Sequence, residues 1–126
     1  MSVVFDSSAL LTIAFQEEGA DVAVRYVHDG ILSAVNASEV VGKLVDLGFA
    51  DDEARRALLA FGLTIRPFDE EGAMAAGLLR TATRKQGLSL GDRACLALAI
   101  RERARVVTAD RVWAGLDLGI DVQVIR

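Results

Sequence analysis

Short apolar runs alternate with longer stretches of helical periodicity along the whole chain. Val3-Val4-Phe5 gives way to Asp6-Ser7-Ser8, and Ile31-Leu32-Ser33-Ala34-Val35 gives way to Asn36-Ala37-Ser38-Glu39. Runs of this kind predict strands over residues 3–6, 31–35, 63–67, 104–108 and 121–125. The segments between them predict helices over 8–15, 20–29, 37–48, 51–61, 69–86 and 91–102. Two helix starts carry acids in the first turn, Asp51-Asp52-Glu53 and Asp69-Glu70-Glu71, and Gly62 lies just past the end of the first of these helices. Strands alternating with helices predict an α/β domain, a parallel sheet covered by helices on both faces.

Composition sharpens this into one domain spanning residues 1–126. At 126 residues, 52% hydrophobic and 25% charged, the chain can bury a real core. It has no repeat, no low-complexity segment and no Pro/Gly linker; Pro67 is the only proline. The single cysteine, Cys95, lies in an apolar run, which removes a disulfide framework and a thiolate metal site and fits a reducing cytoplasm. The N-terminus lacks the pattern of a signal peptide, and no apolar run approaches the roughly 20 residues of a membrane span. No phosphate-cradling glycine motif is present.

Four acids stand where apolar strands end or helices begin: Asp6, Glu39, Asp92 and Asp110. Each has a structural reading of its own. Asp6 can cap the next helix. Asn36 and Glu39 resemble a capping box. Asp92 falls in the first turn of an apolar helix. Asp110 can cap the segment containing Trp113. Their joint pattern says more, because ligands gather beyond the carboxyl ends of the strands of an open α/β sheet. Like charges ~4 Å apart at an effective dielectric of ~20 repel by roughly 4 kcal/mol, so converging carboxylates call for cations or shifted pKa values.

Oxygen-only ligation suits Mg²⁺ or Mn²⁺ rather than zinc. With one histidine, His28, in a helical stretch, and one buried-looking cysteine, Ser/His/Asp and Cys/His catalysis lack their parts. Metal-assisted hydrolysis of a phosphodiester remains, with Ser7 and Thr108 as supporting hydroxyls. Two other classes explain strand-end acids: a receiver-like domain with a phosphoryl-accepting Asp, and a binding module whose acids only cap helices. A net charge of −4 argues against broad attraction to nucleic acid. Twelve of the 14 basic residues are nevertheless arginine, some of them grouped as Arg80, Arg84, Lys85 and as Arg101, Arg103, Arg105.

The segments Val4-Phe5-Asp6-Ser7-Ser8-Ala9-Leu10, Ala37-Ser38-Glu39-Val40, Leu88-Ser89-Leu90-Gly91-Asp92-Arg93-Ala94 and Val107-Thr108-Ala109-Asp110 together resemble the PIN-domain nucleases. Within that group they are most similar to the VapC toxins of bacterial type II toxin–antitoxin pairs. The resemblance implies a three-layer α/β/α fold with a sheet of order 3-2-1-4-5. It implies a Mg²⁺- or Mn²⁺-dependent endoribonuclease, cutting transfer or ribosomal RNA at specific sites, with Asp6, Glu39, Asp92 and Asp110 as the metal-binding and catalytic acids. It further implies a homodimer and a VapB-type antitoxin whose C-terminal segment lies across the active-site groove.

Overall fold

A computed structural model describes residues 1–126. Its five strands are β1 (Val3–Phe5), β2 (Gly30–Ser33), β3 (Thr64–Arg66), β4 (Arg105–Thr108) and β5 (Val122–Val124). Every pairing is parallel, and the order across the sheet is β3-β2-β1-β4-β5, as the resemblance implied. The six helices are α1 (Ser7–Ala14), α2 (Ala20–Ala23), α3 (Ala34–Asp46), α4 (Asp51–Leu59), α5 (Glu70–Thr83) and α6 (Leu90–Glu102).

Alternation along the strands divides the core into two layers. Val3 and Phe5 of β1, Leu32 of β2 and Val107 of β4 face a cluster completed by Leu10, Val40, Leu44 and Leu58 from α1, α3 and α4. Val4, Ile31 and Val106 face the other way, onto Cys95, Leu96 and Ala99 of α6 and the buried Trp113. The central strand β1 is buried throughout, whereas the edge strand β3 is exposed along its length. Side chains projecting from the carboxyl ends of β1, β2 and β4 therefore stand at the seam between the two helical layers.

The boundaries depart from the sequence expectation in three places. The predicted helix 20–29 winds as α only to Ala23 and continues as a 3₁₀ turn over Val24–Asp29. The predicted helix 69–86 ends as α at Thr83, tightens into a 3₁₀ turn and stops at Gly87 in the left-handed conformation. The third change matters most. α3 begins at Ala34, with Ser33 as its N-cap accepting from the Val35 amide at 3.2 Å, and not after Asn36. The capping-box reading of Asn36 and Glu39 is thus wrong: both residues lie inside the helix.

Candidate metal centre

Four segments far apart in sequence deliver one carboxylate each to a single open cavity of about 300 Å³, lined by Asp6, Ser7, Ser8, Leu11, Glu39, Asp92 and Asp110. Asp6 follows directly from β1 and is the N-cap of α1. Glu39 projects from the second turn of α3. Asp92 is the third residue of α6, and Asp110 follows the end of β4 as the N-cap of a 3₁₀ turn over Arg111–Gly115. The cavity sits outside the carboxyl ends of β1 and β4, where an open parallel sheet binds its ligands.

In all four carboxylates one oxygen is held by the protein and the other accepts no hydrogen bond. Asp6 Oδ2 accepts from the hydroxyls of Ser8 at 2.5 Å and Thr108 at 2.9 Å. Glu39 Oε1 accepts from the Ser7 hydroxyl at 2.5 Å and from Asn36 Nδ2 at 2.9 Å. Asp92 Oδ2 accepts from the Ser89 amide at 3.0 Å, closing a capping box in which the Asp92 amide donates to Ser89 Oγ. Asp110 Oδ1 accepts from the Val112 amide at 3.0 Å. Capping and ligation are therefore compatible in Asp92 and Asp110: one oxygen closes a helix end and the other is free.

The hydroxyls are themselves fixed. Thr108 Oγ1 accepts from the Asp110 amide and Ser8 Oγ from the Ala109 amide, each at 3.0 Å, so both are oriented to donate towards Asp6. Ser7 and Thr108, expected as supporting groups, touch Glu39 and Asp6 respectively. Two further polar residues escaped the sequence reading. Ser8 was visible as the second hydroxyl of Asp6-Ser7-Ser8. Asn36 shares a buried helix face with Val40 and Leu44, a spacing of four that places a polar side chain in the core.

The electrostatics are one-sided. All five ion pairs of the molecule lie elsewhere, joining Arg66 to Glu102, Arg101 to Asp69 and to Glu71, Arg105 to Asp121 and Arg126 to Glu17. None of the four cavity acids has a cationic side-chain partner. Burial pushes the Asp6 carboxyl up to about 6; the Ser8 and Thr108 hydroxyls pull against that shift, while Asp92 and Glu39 add to it. Burial likewise raises Asp92, opposed by its bonds to Ser89 and assisted by Glu39 and Asp110. Beneath the cavity, burial and the same acids raise the thiol of Cys95, which is fully enclosed.

Three or more of these side chains do not close on one point as a ready coordination shell. The donor set is nonetheless oxygen-only, negatively charged and uncompensated, with a free oxygen on every carboxylate and room for hydrated ions, which fits Mg²⁺ or Mn²⁺. The largest cavity, about 890 Å³, opens instead at the amino edge of the sheet beside Tyr26, Arg103, Arg105 and Asp121. Its Arg105 and Asp121 neutralise each other at 2.7 Å, so it lacks the unbalanced charge of the acidic cavity.

The PIN domain profile matches residues 3–117. The chain belongs to the PIN-domain family. PIN domains are generally nucleases, and the match spans all four acids. Among solved structures, this PIN domain is similar to VapBC2 from Rickettsia felis bound to a promoter DNA fragment, with 17% identity, complete coverage of both chains and a TM-score of 0.75. It is also similar to a toxin–antitoxin complex from Klebsiella pneumoniae, at 20% identity over 99% of this chain and 98% of that one, with a TM-score of 0.76. A third is VapBC-5 from Mycobacterium tuberculosis, at 23% identity over 100% and 99%, with a TM-score of 0.60. At these identities the likeness is one of fold. No curated protein matches the chain. No helix is long and apolar enough to cross a membrane.

Proposed function

We propose that this PIN domain, residues 1–126, is a divalent-metal-dependent endoribonuclease and the toxin of a type II toxin–antitoxin pair. One observation carries the reading: four carboxylates without cationic partners line one cavity, and each keeps one oxygen free. Asp6, Glu39, Asp92 and Asp110 would hold Mg²⁺ or Mn²⁺. When bound, such ions lower the pKa of a water, align it with a phosphodiester and stabilise the leaving oxygen. The chain's own part is to position: Ser8 and Thr108 orient Asp6, Ser7 orients Glu39, and the capping bonds fix Asp92 and Asp110. Hydrolysis would leave a 5′-phosphate and a 3′-hydroxyl.

The same surface supports a reading of the partners. A groove of about 630 Å³, with Leu11, Phe15, Leu47 and Phe49 among its lining residues, shares Ser8 and Leu11 with the acidic cavity. It suits a VapB-type antitoxin segment lying across the site. Homodimerisation is consistent with Met74 and Leu78, one turn apart on α5 and 63% and 77% exposed. The receiver-like alternative loses support: strand order 3-2-1-4-5 differs from the 2-1-3-4-5 order of receivers, and no lysine stands at the carboxyl end of β4 or β5.

The test is incubation of purified, antitoxin-free protein with total cellular RNA in Mn²⁺ or Mg²⁺, with sequencing of new 5′ ends. The expected result is discrete cuts that vanish with EDTA and fall at least on the order of 10–100-fold in Asp92→Asn. Cuts indifferent to metal and to Asp92, or none from folded, metal-bound protein, would overturn the proposal.

A further inference from the structure

We infer that Asn36 is a positioning residue for the acidic centre: its amide ties Glu39 of α3 to the start of α6, the helix that carries Asp92. The inference deepens the proposed function and rests on that reading for its catalytic consequence.

Asn36 is 0% exposed. Its Nδ2 lies 2.9 Å from Glu39 Oε1, 3.0 Å from the Gly91 carbonyl oxygen and 3.2 Å from Ser7 Oγ. An amide nitrogen carries two protons, so three acceptors compete for two donors, while the buried Oδ1 has no partner at all. Turning the amide over would set Oδ1 against a carboxylate and a carbonyl, both of them acceptors, so the neighbours fix its orientation. As a core residue Asn36 is therefore a poor choice. It leaves an acceptor unpaired where an apolar side chain such as leucine would leave none. What leucine lacks is the pair of donors, and those serve the acidic centre.

The position explains why this matters. α3 packs against one face of the sheet and α6 against the other, and Asn36 and Gly91 bring them together. The bond from Asn36 to Gly91 is the sole side-chain hydrogen bond between the two helices. The approach is close: a β-carbon at Gly91 would fall on the Glu39 carboxylate. One amide thus sets the Glu39 rotamer and, across the seam, the distance between the segments bearing Glu39 and Asp92. Ser7 Oγ, which also donates to Glu39, closes the triangle.

The test compares wild type with Asn36→Leu and Asn36→Asp, both of which keep a side chain branched at Cγ and remove the amide donors. Three properties are read: Mn²⁺ affinity by calorimetry, kcat and KM on a single-stranded RNA oligonucleotide, and metal-free crystal structures. Both variants should weaken Mn²⁺ binding at least 10-fold and lower kcat about 10–100-fold, as loss of a hydrogen bond to a ligating group does, with KM changed less than about 3-fold. Their metal-free structures should show Glu39 in a different rotamer. Wild-type Mn²⁺ affinity and kcat in a folded variant would overturn the inference, and so would failure of both variants to fold, which would assign Asn36 to the fold alone. If the wild type binds Mn²⁺ yet cuts no RNA, the ribonuclease reading fails, and the affinities and the Glu39 rotamer still decide the role of Asn36. A wild type that binds no Mn²⁺ sinks both.

Discussion

Asp6, 4% exposed and without a cationic partner, cannot ionise at the ordinary aspartate value of 3.8 and is held up near 6. The sign follows from proton counting. Below about 4 the folded and unfolded chains both carry the proton; between about 4 and 6 only the folded chain does; above 6 neither does, and folding must bury the charge. Metal-free protein should therefore lose stability as pH rises through that window, by about 1–2 kcal/mol between pH 5 and 7.5. Urea unfolding in EDTA at the two pH values measures this, and a flat profile would contradict it. Asp6→Asn removes the buried charge and should stabilise the metal-free protein at pH 7.5 by about 1–3 kcal/mol while abolishing cleavage. A variant less stable than wild type in EDTA would speak against it. At this scale Asp6 and Asp110 were legible as acids that follow strands, and Asp92 as a helix-start acid, whereas Glu39 lies a turn inside α3 and stood out only beside the other three. What was not legible was that capping and a free ligand oxygen coexist in one side chain, because that depends on which oxygen the backbone amide meets.

At the scale of elements, short apolar runs predicted every strand: burial on both faces leaves no polar ambiguity in Val3-Val4-Phe5 or Val106-Val107, whereas the exposed edge strand β3 rests on weaker local signal. The start of α3 was harder. Ser33 and Asn36 are both good N-caps, and β2, paired with β3 up to Ser33 opposite Arg66, runs straight into a helix capped by Ser33. That long-range pairing is invisible locally, and it hid Asn36. The start of α6 offers a prediction of its own. Gly91→Ala should gain up to about 1 kcal/mol in helix propensity. The added methyl group displaces the flexible Glu39 carboxylate, so folding should survive while Mn²⁺ affinity falls at least several-fold. Thermal melts and calorimetry separate the two effects, and unchanged affinity would show that Glu39 is not a ligand.

Across the whole molecule, net charge and local charge have to be told apart. The chain carries −4, and the sequence grouping Arg101, Arg103, Arg105 suggested a patch for phosphate. In the fold Arg101 and Arg105 are engaged by Asp69, Glu71 and Asp121, at the ends of α6 and β4 remote from the acids. That grouping therefore does not serve the site. Lys43 lines the groove next to the cavity, and in no ion pair of the molecule does it take part. The most concentrated charge is thus the one that repels RNA, which makes bound cations the condition for any phosphodiester to enter. The most direct test is a crystal of the protein soaked in Mn²⁺ and measured at the manganese absorption edge. The account predicts an anomalous peak at ligand distance from Asp6 and at least one of Glu39, Asp92 and Asp110, lost in Asp6→Asn. An empty cavity in millimolar Mn²⁺, with the protein otherwise ordered, would contradict it.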